Sequence, residues 1–417
     1  MRQSIVLAGF VAVVSASPAA ELVRRQNIDF AAVNAAPAPQ FVGPPVTATS
    51  QNIDYNTAAV TASGAAAATA IASSAAKAAE KRSVEVELTK RTFCFWPFSC
   101  GSGGSSEGST PKPVTTTSKV DSKPTSTTSV PVAIATYDPA LECAAQGDGY
   151  GPKPDPDTPE AFLAYQPFHD EAQGAKVPSG YTSTFTDLNA AVNANTYLGL
   201  ITLQSYDVAG CASLCDNKDL CTAFNIYFER DPSVNPAAQC ANPPSITNYK
   251  CTLWGSGVTK EAAVNDGQYR TDFHVVITGS NGYSKVETTT PVTPPGWQEP
   301  TKCGNGHVGH NHPTTCIGTH FYPGPYNPLL CASYAVAQNA INVKANLIST
   351  VLSWFGFNPY KVNFFNSYML KKDGKPLGTY CSIYAQKYSS AQASYDPGFQ
   401  GGFTWSIESS WSWSIKA

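Results

Sequence analysis

Twelve cysteines fall in three groups along this 417-residue chain: two at 94 and 100, six between 143 and 251, and four between 303 and 381. Each group is even, so every stretch can pair its cysteines internally. A chain with that pattern folds as small modules stapled by sulfur rather than around one large core. No Cys-x-x-Cys pair occurs, which separates the pattern from that of a cytosolic zinc site.

The start of the chain gives the compartment. Met1-Arg2 precedes an apolar run, Ile5 to Val14, that ends in Val14-Ser15-Ala16. The run is far shorter than the ~20 residues a bilayer span needs and suits a signal-peptide core, so residues 1–16 are expected to be removed. No later apolar run predicts a membrane span. Net charge is −3 with 14% charged residues, which provides no field for nucleic acid or anionic lipid. A secreted or cell-wall protein is expected.

Residues 17–91 are Ala-, Val-, Thr- and Pro-rich with few aromatics, and read as a disordered leader. Gln26-Asn27-Ile28-Asp29-Phe30 recurs as Gln51-Asn52-Ile53-Asp54-Tyr55, each copy soon followed by Ala-Ala-Val. The Ala-rich stretch from Ala58 could form a marginal helix. Arg24-Arg25, Lys81-Arg82 and Lys90-Arg91 are pairs a kexin-type protease reads, so cuts are expected after Arg25, Arg82 and Arg91. Residues 92–136 begin with an aromatic ring closed by Cys94 and Cys100 and continue as a Gly/Ser/Thr/Pro linker. No Asn-x-Ser/Thr acceptor occurs in the chain.

Composition changes at about Thr136. Residues 137–287 form one predicted domain and 297–417 another, joined by a stiff Thr/Pro linker at 288–296. In the first, Tyr206 to Cys215 reads as a helix capped by Asp207. Cys221 to Phe228, Lys250 to Trp254 and Phe273 to Ile277 read as strands. The expected class is α+β.

The Cys211-x3-Cys215-x5-Cys221 spacing on a helix, running into Ala223-Phe224-Asn225-Ile226-Tyr227 and then Lys250-Cys251-Thr252-Leu253-Trp254, resembles the PAN/apple module. Gly149 to Pro152, Asp157 to Leu163, Phe224 to Pro232 and Gly279 to Tyr283 extend the likeness to a group of secreted ascomycete proteins described as carbohydrate-binding-like. The resemblance implies Cys215–Cys221 and Cys211–Cys251 bridges, which leaves Cys143 for Cys240; Cys143 and Cys240 are extra to the minimal pattern. It also implies a non-catalytic module that binds glycans or extracellular proteins. Asn225, Tyr227, Glu229, Arg230 and Trp254 are the contact candidates, because this strand and the corner after it are exposed in such folds. Glu229-Arg230-Asp231 also reads as an exposed ion pair, and His274 as a half-buried structural residue.

In 297–417, Pro328 to Phe355 carries a helical stripe. Lys361 to Leu370, Leu377 to Ala385 and Thr404 to Ile415 read as strands of a second small α+β module. Phe403, Trp405 and Ile407 alternate, as do Trp411, Trp413 and Ile415, which points to buried faces more than to a sugar-stacking platform. His307, His310 and His312 lie between Cys303 and Cys316. A Cys303–Cys316 bridge would gather the three imidazoles for zinc or copper, though a structural loop fits equally and no cofactor is required. Cys331 and Cys381 complete the set. No GxSxG, HExxH or P-loop occurs. The expected function is a secreted, non-catalytic binder of glycan or wall polysaccharide. The alternatives are a precursor of kexin-released peptides and an enzyme built on the three histidines.

Overall fold

The computed structural model describes residues 28–35, 50–53, 58–68, 140–147, 149–286, 290–309, 316–345 and 361–416. The expected signal peptide, the expected cut sites at Arg25, Arg82 and Arg91, Cys94 and Cys100, the expected linker to residue 136, His310 and His312 lie outside them. The architecture is α+β and mostly strand. No helix among the described residues is long and apolar enough to cross a membrane.

The first sheet takes β1 (Ser50–Asn52), β2 (Tyr181–Leu188), β4 (Tyr197–Leu203), β5 (Ala223–Pro232), β6 (Ser245–Trp254), β8 (Gly267–Arg270) and β9 (Phe273–Lys285), in the order β1-β4-β6-β5-β9-β2 with β8 on β9. Strand alternation sorts β5. Phe224, Ile226 and Phe228 face one buried cluster with Phe162, Phe168, Cys211 and Cys215. Tyr227 faces another with Ala191 and Ile277. The helices here are α3 (Pro159–Leu163), α4 (Gln166–Gly174) and α5 (Val208–Asp216). Asp207 caps α5 by accepting from the Gly210 amide at 2.8 Å. A short ribbon of β3 (Ala191–Val192) and β7 (Ala263–Asn265) lies on the second face.

The second sheet takes β10 (Thr301–Lys302), β11 (Cys316–Pro323), β12 (Phe364–Lys372), β13 (Lys375–Tyr384), β14 (Gly398–Gln400) and β15 (Phe403–Ser414), ordered β10-β15-β12-β13-β11 with β14 on β15. Helix α6 (Pro328–Ala345) packs Cys331, Tyr334 and Ala335 against Trp297, Phe365, Trp411 and Trp413. Trp405 and Ile407 are buried on the other face, while Phe403 is exposed. The C-terminal tryptophans are therefore core, as their alternation indicates. Each large side chain buried in this way contributes about 1.5–3 kcal/mol.

The two sheets follow one plan. Strands β4-β6-β5-β9-β2 and β11-β13-β12-β15-β10 correspond in order. The registers also match: Asn225 faces Thr252 and Ile226 faces Cys251, as Asn366 faces Ser382 and Ser367 faces Cys381. A bulge follows the first residue of β4 and of β11. Helix α5 is tied to β6 by Cys211–Cys251, and α6 to β13 by Cys331–Cys381. Asn225 and Asn366 make the same buried clamp. The Asn225 carbonyl accepts from Val192 N at 2.9 Å, and its amide donates to Ser280 Oγ and Asn281 O, both at 2.9 Å. The Asn366 carbonyl accepts from Val308 N at 3.0 Å, and its amide donates to Ser410 Oγ at 3.2 Å and Trp411 O at 2.8 Å. The Tyr206 hydroxyl donates to Ile226 O at 3.3 Å and the Tyr326 hydroxyl to Ser367 O at 3.2 Å.

Four disulfides join described cysteines: Cys143–Cys240, Cys211–Cys251, Cys215–Cys221 and Cys331–Cys381. Cys211–Cys251 and Cys215–Cys221 are the pairs the resemblance implied, and Cys143–Cys240 is the pair they left over. The expected Cys303–Cys316 bridge is corrected: both sulfurs sit in one buried cluster with Val308, Phe364 and Tyr384 and are not joined to each other. Burial raises the pKa of the Cys303 thiol, against hydrogen bonds with Ser412 and Ser410.

Within residues 17–91, read from the sequence as a disordered leader, three stretches at 28–35, 50–53 and 58–68 take regular structure. Helix α1 (Phe30–Asn34) buries Val33, and Ile28 before it is buried too. Strand β1 pairs with the edge of β4. Helix α2 (residues 58–68) buries Val60, Ala67 and Ala68, the spacing of an amphipathic face. These stretches belong to the same compact unit as residues 140 onward. Small side chains suffice for burial because the sheets supply the large ones.

Candidate functional site

The five expected contact residues do not form a free surface. Asn225, Tyr227 and Trp254 are wholly buried and Arg230 is 3% exposed. The physical reason is that β5 is central in its sheet and carries cover on both faces. Asn225 is spent on its clamp. Trp254 packs with Val192, Ala194, Val258 and Ala262, and its indole N–H donates to Thr252 Oγ1 at 3.0 Å.

The Glu229-Arg230-Asp231 corner is likewise a strand segment and not an exposed ion pair. Arg230 points to the helical face, where it donates to His274 O and Asp157 Oδ1, both at 2.9 Å, and lies 4.3 Å from the Phe273 ring centre. Burial by itself would raise the Asp157 carboxyl, but hydrogen bonds from Lys153, Ser245 and Arg230 outweigh it and hold that carboxyl well below the usual range. On the opposite face, Lys250 lies 3.6 Å from Glu229 and 3.3 Å from Asp231, and Asn248 donates to Asp231 at 2.7 Å. Burial, then the neighbouring Asp231 charge, push Glu229 up to about 8 against the pull of Lys250. The Tyr227 hydroxyl is buried, with no hydrogen-bond partner among the described residues.

The histidines are equally structural where described. His307 is 1% exposed, stacks on Tyr368 at 4.9 Å, and its Nδ1 lies 2.8 Å from Val308 O. Its backbone pairs with Tyr395, the place Ala191 takes in the first sheet by pairing with Asn265. His310 and His312 lie outside the described residues. Among described residues no three His, Cys, Asp or Glu side chains gather to hold a metal. His274 is half-buried, stacked on Tyr269. His169, which the sequence did not single out, has both ring nitrogens engaged: Nδ1 with Asp187 Oδ1 at 2.7 Å and Nε2 with Leu163 O at 2.8 Å.

A cleft lies where the sheets meet. It measures about 590 Å³ and is lined from the first sheet and its loops by Leu220, Thr222, Val258, Thr259, Ser284 and Val286. Pro291 and Val292, then Tyr326, Leu329, Glu408 and Trp411, line it from the linker and the second sheet. Several bonds fix its walls. Glu408 accepts from Gly257 N at 2.9 Å and from Lys371 at 3.1 Å. Thr259 donates to Gly374 O at 3.0 Å, and Tyr326 N donates to Gly255 O at 2.9 Å. Lys285 donates to Cys215 O and Cys221 O at 3.2 and 3.0 Å, so the short Cys215–Cys221 loop is pinned at the rim. Apolar walls with a few convergent polar groups are the usual make-up of a ligand site. No single-sequence signal marks this cleft, because its residues come from eight separated stretches.

No known protein-family model matches the chain, and neither a curated protein nor a solved structure is significantly similar to it.

Proposed function

We propose that this chain is a secreted, non-catalytic binding protein whose ligand seats in the cleft between the two sheets. The ligand class is a glycan or wall polysaccharide. The observation that carries the reading is the cleft itself, where Tyr326 and Trp411 line a mostly apolar wall beside Thr222, Thr259, Ser284 and Glu408. Sugar rings offer apolar faces to aromatics and hydroxyls to polar groups at once. The PAN/apple resemblance supports the same reading, and the shared plan of the sheets extends it to both modules. Placement outside the cell or in its wall rests on the signal-like start and the disulfides.

Retention on immobilised wall polysaccharides tests it, with the full-length protein beside Val292→Asp and Trp254→Ala. Val292 is 68% exposed, so its change leaves folding intact and should cut retention at least tenfold. Trp254→Ala should instead lower stability by about 3–5 kcal/mol, because the indole is core. Equal retention by Val292→Asp, or no retention by the parent, would refute the proposal.

A further inference from the structure

The two copies of the Gln-Asn-Ile-Asp-aromatic repeat lie in segments that dock on different sheets. At the end of the first copy, Phe30 lies 4.5 Å from the Trp405 ring centre. Ile28 and Val33 enter the cluster of Tyr368, Leu370, Tyr380 and Ile407, and Asp29 N donates to the Tyr380 hydroxyl at 2.8 Å. Within the second copy, Gln51 and Asn52 extend the first sheet. Gln51 faces Leu200 and Asn52 faces Gly199. Gly199, at φ +145°, leaves the room that the Gln51 carbonyl fills. Lys218 donates to Asn52 Oδ1 and to Ile53 O, and Tyr197 donates to Gln51 Oε1 at 2.9 Å. Helix α2 then lies along α6, so close that a Cβ on Gly64 would stand 2.6 Å from Ser333 Cβ. Strand pairing and a helix in an apolar groove are both recognised ways for one chain to hold another.

All three docked pieces fall between Arg24-Arg25 and Lys81-Arg82. No cysteine precedes Cys94, so no disulfide can tie this stretch to the rest. We propose that residues 26–82 are a built-in second chain, which stays seated on both sheets by packing and hydrogen bonds after the backbone beyond it is cut. In the cut, a kexin-type protease adds water across the Arg82–Ser83 peptide bond, leaving a carboxylate on Arg82 and an amine on Ser83. A released peptide is the opposite expectation.

The test is digestion of the full-length protein with a kexin-type protease, followed by native mass spectrometry and size exclusion at micromolar concentration. The expected result is a complex containing the 26–82 fragment that separates only under denaturing conditions. Phe30→Ala with Val33→Ala, and separately Gly64→Leu, should each lower retention at least tenfold. Circular dichroism and an unchanged disulfide map will show that the body remains folded. Dissociation of the parent fragment on cutting, equal retention by both variants, or resistance to the protease at Lys81-Arg82 would each overturn the proposal. Should the variants fail to fold, synthetic peptide 26–82 titrated onto a body stripped of its fragment gives the same decision: binding supports the proposal and its absence defeats it.

Discussion

Position for position, Glu229, Asp231 and Lys250 in the first sheet correspond to Leu370, Lys372 and Tyr380 in the second. One face is a knot of charges. The other has the single cation of Lys372 over the Phe403 ring beside apolar Leu370 and Tyr380, which pack with Ile28 and Phe30. Beneath both, the asparagine clamp, the helix-to-strand disulfide and the central-strand register are the same. The comparison separates what the frame requires from what a face may vary. The frame needs a buried amide that satisfies three backbone or hydroxyl groups at once, since an unmet buried group is costly. A face needs only to be covered or paired.

The sharpest way to break that comparison is to remove the clamps. Asn225→Ala and Asn366→Ala should each lower stability by about 2–4 kcal/mol, because each leaves a buried amide N–H, of Val192 or Val308, without its acceptor. Urea unfolding measures this, and a neutral result at either position would mean that the two clamps are not equivalent.

Next in size is Asp157→Asn, which acts on the first sheet only. Arg230 keeps its bond to His274 O but loses its carboxylate, and about 2–3 kcal/mol should go. That is below the value for a fully buried pair because Asp157 is 26% exposed. The wild-type contribution should fade as pH falls through 3.8, the ordinary Asp value. Lys371 occupies the position of Arg230 in the second sheet and pairs with Glu408, so Glu408→Gln should cost less.

The last contrast is a difference in sign. Glu229 is raised, so the folded state holds its proton longer than the unfolded chain does. Stability is lost as pH rises from about 4.5 toward 8. His320, beside the second sheet's Tyr322 and Tyr334, is lowered by burial, with Asp29 pulling the other way, so its contribution is lost as pH falls through 6.5. Glu229→Gln and His320→Phe should therefore flatten opposite limbs of the stability–pH curve. Limbs that move together would undo the contrast.

Much of the frame could be read from residues. Aromatic and β-branched runs marked β5, β6 and β12, Asp207 announced α5, and the alternation of Trp405 with Ile407 and of Trp411 with Trp413 indicated burial. The surface could not be read in the same way. Tyr227 and Trp254 look like stacking residues until the ribbon from 191–192 and 263–265 and the turn at 260–262 lie over them, and those covers are distant in sequence. The likeness of the two sheets is hidden because Cys215 has Ala335 as its counterpart and the intervening loops differ in length. Docking of the segment at 58–68 is hidden because Ala67 and Ala68 are too small to announce a core, and the cluster they join begins more than two hundred residues away, at Trp297.

Where β9 and β15 bend beside their clamps, Gly279 and Ser409 share a left-handed backbone, at φ +56° and +52°. They are not interchangeable. A side chain at 279 would run into the Phe228 ring at 2.7 Å, whereas β12 has Met369 at the matching place. A chimera grafting β15 in place of β9 should therefore fail unless Phe228 is swapped with it. For anyone recombining these halves, the smallest transferable part is a neighbouring couple of strands, never one alone.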